Sequence, residues 1–161
     1  MATNQYSFTT HWHIPAPPDL VSAVLAEATD LPRWWPSVYL EAKELEAGAP
    51  GTHIGRAVAL HTRGWLPYTL KWSFRVVDNR HPRGFTIEAW GDFEGTGVWT
   101  FEPEEGGTHV RFDWTIVAEK PLLKYLSFAM KPFFRANHEW AMRQGEASLK
   151  RELERRRSSP Q

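Results

Sequence analysis

Apolar positions recur along the chain with two different periods, and the switches between them mark its elements. From Tyr6 to Ile14 the residues Phe8, Thr10, Trp12 and Ile14 share one parity, and Thr9, His11 and His13 the other. That two-residue alternation predicts a strand. Pro15-Ala16-Pro17-Pro18 closes it, and Leu20, Val21, Val24, Leu25 and Ala28 then fall at helical spacing. Asp30 is placed to cap a second short helix, Leu31 to Trp35, which Pro36 stops. Alternation returns after that, predicting strands over 38–45, 54–62, 68–77, 85–89, 98–102 and 108–118, divided by Gly- and Pro-containing turns. In 68–77, Tyr68, Leu70, Trp72, Phe74 and Val76 face one way. In 108–118, Val110, Phe112, Trp114 and Ile116 do the same. Over 85–95 the pattern does not sort the two faces, and Gly91, Gly95 and Gly97 predict a bend or bulge.

The period changes again at the end of the chain. Pro121 opens a helical segment, Leu122 to Met130, and Pro132 separates or kinks it from a final helix running from Phe133 to about Arg156. At 100° per residue, Phe134, His138, Ala141, Met142, Gly145, Leu149 and Leu153 fall on one side of that helix. Glu139, Arg143, Glu146, Lys150 and Glu154 fall on the other, with acid before base at i,i+4. Gly145 within the apolar stripe costs about 1 kcal/mol relative to alanine. It marks a place where another backbone or a ligand comes close.

Strand, two short helices, about six tightly connected strands and one long helix describe a single α+β domain over residues 1–161, with an ordered core of about 6–156 and a tail at 157–161. The strands form a curved antiparallel sheet of about seven members, wrapped around the C-terminal helix. Nineteen basic and nineteen acidic residues cancel, so there is no basic stripe for nucleic acid. No cysteine is present, which excludes disulfides, thiol catalysis and thiolate metal sites. No apolar run approaches the ~18 residues of a membrane span, and the N-terminus carries no signal-like pattern. The expected location is cytoplasmic. Nine Trp, nine Phe and four Tyr change the picture more than charge does. Aromatics this dense either pack a wide sheet or line a cavity for a large apolar ligand.

Four stretches carry a resemblance. They are Trp12 to Pro18 with the following helix, the run Asp30 to Pro36, the run Gly91 to Trp99, and Asn137 to Met142 with Gly145. At these residues, and over about Tyr6 to Arg156, the chain resembles the START-like SRPBCC superfamily, in particular its bacterial polyketide cyclase/dehydrase-like group. The resemblance implies a helix-grip fold with a deep, largely apolar cavity between the concave sheet face and the final helix. It implies a mouth near the short helices and hairpin loops. Lipid carriers, metabolite binders, aromatase/cyclases and oxygenase subunits all share this fold, so it does not by itself set the chemistry.

The candidate chemistry centres on His138. Facing a cavity, it would anchor a ligand carbonyl or hydroxyl, or move a proton. Facing the core, it would be satisfied by a backbone carbonyl or a carboxylate. Asp92 and Glu94 share one strand face with Phe93 opposite; facing the cavity they are a carboxylate pair, one proton donor and one acceptor, and otherwise both face solvent or one accepts a hydrogen bond from His138. Asn137 either caps a turn or touches ligand. Trp34, Trp35, Tyr39, Trp65 and Tyr68 form an aromatic gate at the mouth or a plug that seals it. Trp72, Phe74, Trp90, Trp99, Phe112 and Trp114 from the sheet, with Phe134 and Met142 from the helix, are the expected ligand contacts. His11 and His13 share a face without a third ligand, and Met142 stands where a zinc-protease motif starting at His138 needs its second histidine. No metal and no cofactor is expected.

The preferred expectation is a carrier or sensor of a hydrophobic lipid, acyl or polycyclic aromatic ligand. The alternative is a polyketide cyclase/dehydrase-type enzyme in which His138 works with Asp92 or Glu94. A module that binds a protein partner through exposed aromatics is the third reading.

Overall fold

A computed structural model of the chain describes residues 5–64, 68–118 and 121–158. Seven strands, β1 (Gln5–Ile14), β2 (Tyr39–Glu46), β3 (Ala57–Arg63), β4 (Thr69–Asn79), β5 (Gly84–Gly91), β6 (Phe93–Glu104) and β7 (Gly107–Ala118), form one sheet. Every pairing is antiparallel, in the order β1-β7-β6-β5-β4-β3-β2. Consecutive hairpins from β2 to β7 account for most of that order. β1 closes it by pairing with β7 from Gln5↔Val117 to Ile14↔Thr108. Between β1 and β2, the two edges, run α1 (Pro18–Ala26), a 3-10 turn (Ala28–Asp30) and α2 (Leu31–Trp34). The expected strands and short helices are therefore present, with boundaries shifted by a few residues.

One expectation about capping is corrected. Asp30 makes no side-chain cap to α2. Its carboxylate accepts from Arg33 instead, at 2.8 and 2.5 Å, because an arginine one turn on offers two charge-assisted donors in place of a single amide.

The chain ends in α3 (Pro121–Ser158), one 38-residue helix with Pro132 inside it. The helical segments expected on either side of Pro132 are continuous. Proline removes one i→i−4 hydrogen bond, about 3 kcal/mol in a helix interior, and the remaining turns carry the helix past it. α3 lies along the inner face of β1 and β7 and touches α2. Its stripe seats as the spacing requires: Met142, Leu149 and Leu153 are buried, and Leu149 is fully so.

Alternation decides which side chains point inward. Tyr6, Phe8, Trp12 and Ile14 of β1, Val58 and Leu60 of β3, and Val110, Phe112 and Trp114 of β7 are buried on the helix side. The stretch that the pattern left unsorted resolves on one parity across the β5–β6 turn. Phe85, Ile87, Ala89, Phe93, Trp99 and Phe101 are buried, whereas Glu88, Trp90 and Glu94 are exposed. No bulge interrupts β6 at Gly95 or Gly97, since the β5–β6 and β6–β7 registers run without a shift. Gly97 serves packing instead: a Cβ there would crowd the rings of Trp114 and Phe112 at 2.9 and 3.0 Å. Its bare backbone lets those two rings lie across β6.

Candidate functional site

The inner face of the sheet, α3 and the α1–α2 segment enclose a cavity of about 190 Å³. For scale, an apolar cavity of about 150 Å³ admits benzene. Its floor is a run of rings in mutual contact: Trp99 stacks on Phe112 at 4.1 Å, and Phe112 on Trp114 at 5.5 Å. Trp114 and Phe93 both then meet Trp72, at 5.7 and 5.0 Å. Such rings bring a large apolar surface and few rotamers, so the wall is stiff as well as hydrophobic. Trp35 and Tyr39, in edge contact at 5.0 Å, close the α2 side. Tyr68 and Phe134, with centroids 6.4 Å apart, stand at the cavity end beside the start of β4.

Polar groups in this lining are few. Thr62 Oγ1 accepts the indole N–H of Trp72 at 3.0 Å, which fixes that ring against the wall. Tyr39 and Tyr68 are neutral phenols, and burial raises both hydroxyls further above their ordinary value of 10, Tyr68 to about 12. Asn137 lies against Gly64, where a Cβ would collide with its side-chain amide. It lines the cavity rather than merely capping a turn.

His138 also lines it, stacked on Phe8 with centroids 4.4 Å apart and planes 22° apart. Its Nε2 is buried and has no hydrogen-bond partner among the described residues. Burial first, and the nearby Arg135 charge second, pull its pKa from 6.5 down to about 4. At neutral pH the ring is therefore uncharged, with one N–H and one lone pair. Trp35 Nε1 is likewise buried with no partner among the described residues, so within that set two groups in this wall carry unmet hydrogen-bonding capacity, the kind of deficit a ligand removes.

The other expected catalytic groups are elsewhere, and this is a correction. Asp92 follows the outward parity of the β5–β6 turn, and its Oδ2 accepts the Lys71 amide at 2.9 Å while its own amide donates to Lys71 O at 3.0 Å. That double tie to the start of β4 holds the carboxylate away from the cavity. Glu94 is exposed on the outer face. No Asp or Glu among the described residues lines the cavity, so the His138–carboxylate pairing has no geometric basis.

The expected ligand contacts divide in the same way. Trp35, Tyr39, Tyr68, Trp72, Phe74, Trp99, Phe112, Trp114, Phe134 and Met142 line the cavity. Trp90 does not: it is 40 % exposed on the outer face, with the Arg75 guanidinium 5.8 Å from its centroid. Trp34 is core, stacked behind Trp35 at 5.7 Å and outside the lining. Trp65 lies outside the described residues. The sequence reading missed Tyr6, Phe8, Phe93 and Arg63 in the wall. Tyr6 and Phe8 were available from the parity of β1, whereas Phe93 sits in the stretch that parity leaves unsorted and a rim residue such as Arg63 leaves no periodic signal.

On the outer face, His11 and His13 are joined by His109, with His11 Nδ1 and His109 Nε2 2.8 Å apart and His13 Nδ1 2.9 Å from Glu104. Among the described residues no group of three or more His, Cys, Asp or Glu is arranged to hold a metal ion. No described helix is long and apolar enough to cross a membrane.

Residues 5–154 match the family described as polyketide cyclase/dehydrase and lipid transport. No curated protein matches the chain in sequence. Among solved structures, the Zhui aromatase/cyclase from Streptomyces sp. R1128 superposes with a TM-score of 0.74 at 17% identity, covering 96% of this chain and 97% of that one. The di-domain aromatase/cyclase BexL from the BE-7585A biosynthetic pathway gives 0.71 at 20% identity over 92% of this chain, which spans only 50% of that protein. A Thermus thermophilus protein, TTHA0849, gives 0.67 at 18% identity, over 89% of this chain and 97% of that one. At these identities the likeness is one of fold: a seven-stranded antiparallel sheet gripping a long C-terminal helix.

Proposed function

Since the chain belongs to the polyketide cyclase/dehydrase and lipid-transport family, we propose that it binds a hydrophobic, ring-containing or acyl small molecule in its aromatic cavity, as a carrier or sensor. The observation that carries this reading is the buried Nε2 of His138, without a partner among the described residues, in a wall that is mostly apolar. A buried polar atom without a partner costs about 1–3 kcal/mol, and a ligand that supplies one hydrogen bond there recovers it. Burying each 100 Å² of apolar ligand surface adds about 2.5 kcal/mol. The cavity thus favours a mostly hydrocarbon body with one polar group near His138.

A cyclase-type reaction is the second reading, favoured by the same nitrogen. The neutral His138 would act alone as proton acceptor or hydrogen-bond donor to a ketone, and positioning of the substrate by the ring-lined wall would supply most of the rate. The absence of a carboxylate from the described lining weighs toward binding.

Native mass spectrometry of freshly purified protein, with identification of any small molecule released on denaturation, tests the proposal. A co-purifying lipid or aromatic metabolite is the expected result. An apo mass, together with no uptake of naphthyl or acyl probes at millimolar concentration, would overturn it.

A further inference from the structure

The cavity lining is lopsided in charge. Among the described residues it contains no carboxylate and one group charged at neutral pH, Arg63. Arg63 is the last residue of β3 and is exposed. It is tied to the segment before β2 in two places. Its amide donates to Val38 O at 2.8 Å, and its side-chain Nε donates to Ser37 O at 3.3 Å. No carboxylate among the described residues pairs with it. The Nε bond holds the guanidinium at the rim of the cavity and leaves its terminal nitrogens available.

We infer that the ligand is an aromatic carboxylate, its ring body buried among the wall aromatics and its carboxylate held by Arg63 at the rim. This rests on the hydrophobic-ligand reading and narrows it. A guanidinium presents paired N–H donors that match a carboxylate edge, which a point charge would not do. Placing the charge at the rim matters. Deep in the cavity, desolvation would consume the Coulomb gain, whereas at the rim both ions keep part of their water. The flat ring-lined walls and a volume of about 190 Å³ favour one or two fused rings. Carboxylates inside the wall would repel such a ligand, and the described lining has none.

Isothermal titration of the full chain with 2-naphthoate and with the neutral 2-naphthylmethanol tests this. The wild type is expected to bind the acid about tenfold more tightly than the alcohol, roughly 1.4 kcal/mol. That preference should shrink as salt rises, while alcohol affinity stays constant. In Arg63→Gln the acid should lose its advantage and the alcohol should change less than twofold. Arg135→Gln, whose guanidinium lies over Phe8 at 5.3 Å and outside the lining, should keep the preference. Equal binding of both probes to the wild type, or a preference that survives in Arg63→Gln, overturns the carboxylate assignment and leaves the apolar cavity standing. If neither probe binds the wild type, the carboxylate assignment is overturned as well, and the hydrophobic-ligand reading falls with it when acyl probes also fail and the native mass is apo.

Discussion

The indole of Trp35 occupies the space that a side chain at position 145 would fill: a Cβ on Gly145 would sit closer to its six-membered ring than real Cβ atoms approach. The glycine in the apolar stripe of α3 is therefore explained by neither a backbone nor a ligand. It receives a ring from the α2 end, and Trp35 in turn forms part of the cavity wall. Helix packing and cavity shape are coupled at this one contact.

Gly145→Ala is accordingly expected to destabilise the protein. Helix propensity favours alanine by about 1 kcal/mol, but overpacking against a buried indole costs about 1–3 kcal/mol. Urea unfolding should show a net loss. Trp35→Phe in the same background should recover part of it, since the smaller ring vacates the contested space.

His138 gives the protein a specific pH signature. Its folded pKa of about 4 lies below the ordinary 6.5, so between these values the unfolded chain binds a proton that the folded one does not. Stability from this group is fully present above pH 6.5 and is lost as pH falls toward 4, on the order of 3 kcal/mol. Unfolding midpoints of wild type and His138→Gln, compared at pH 7 and pH 4.5, should differ by that slope. Parallel pH profiles would mean that the ring is not buried and neutral.

Glu152 acts in a lower window. It is 4 % exposed and accepts from Arg33 at 3.0 and 2.7 Å, from Arg155 at 3.0 and 2.8 Å, and from Arg156 at 2.8 Å. Hydrogen bonds from Arg155 first, and from Arg33, hold its carboxyl far below 4.5. The depressed value means that its stabilisation is present above about pH 4.5 and declines as pH falls through the acid range. Glu152→Gln should lose about 1–3 kcal/mol at pH 7, because it weakens the tie between α3 and the α2 end. The gap from wild type should narrow below pH 3, read by denaturant unfolding at both pH values.

Ligand binding should respond to volume inside the wall and not to charge outside it. Ala141 lines the cavity from α3, so Ala141→Trp should lower affinity for a neutral naphthyl probe at least tenfold while circular dichroism stays unchanged. The doubly substituted Asp92→Asn, Glu94→Gln protein and Trp90→Ala should bind within twofold of wild type. A large loss in either would return the outer face to the site.

Much of the architecture is legible locally. The parity of 68–77 and 108–118 already separated Leu70, Trp72, Phe74, Phe112 and Trp114 from their outward neighbours, and those five line the cavity. The stripe of the last helix likewise placed His138, Ala141 and Met142 on the cavity side. Asp92, Glu94 and Trp90 misled for one shared reason. They lie around a tight turn rich in glycine, where a parity count has no anchor until the β5–β6 register supplies one. Trp34 and Trp35 are adjacent and chemically identical, and only the packing of α2 against α3 puts the second in the wall and the first behind it.

By itself the sequence determined the periods, hence the strands, the amphipathic helix and, outside the glycine-rich stretch 85–95, the side each residue takes within its own element. Those follow from backbone geometry, which acts over a few residues. Tertiary structure alone decided that Trp35 meets Gly145, that Phe8 stacks on His138, and that Arg63 stands at the rim of an apolar cavity. The first two pairings join residues 110 and 130 positions apart, and close packing of side chains across that distance leaves no periodic trace along the chain.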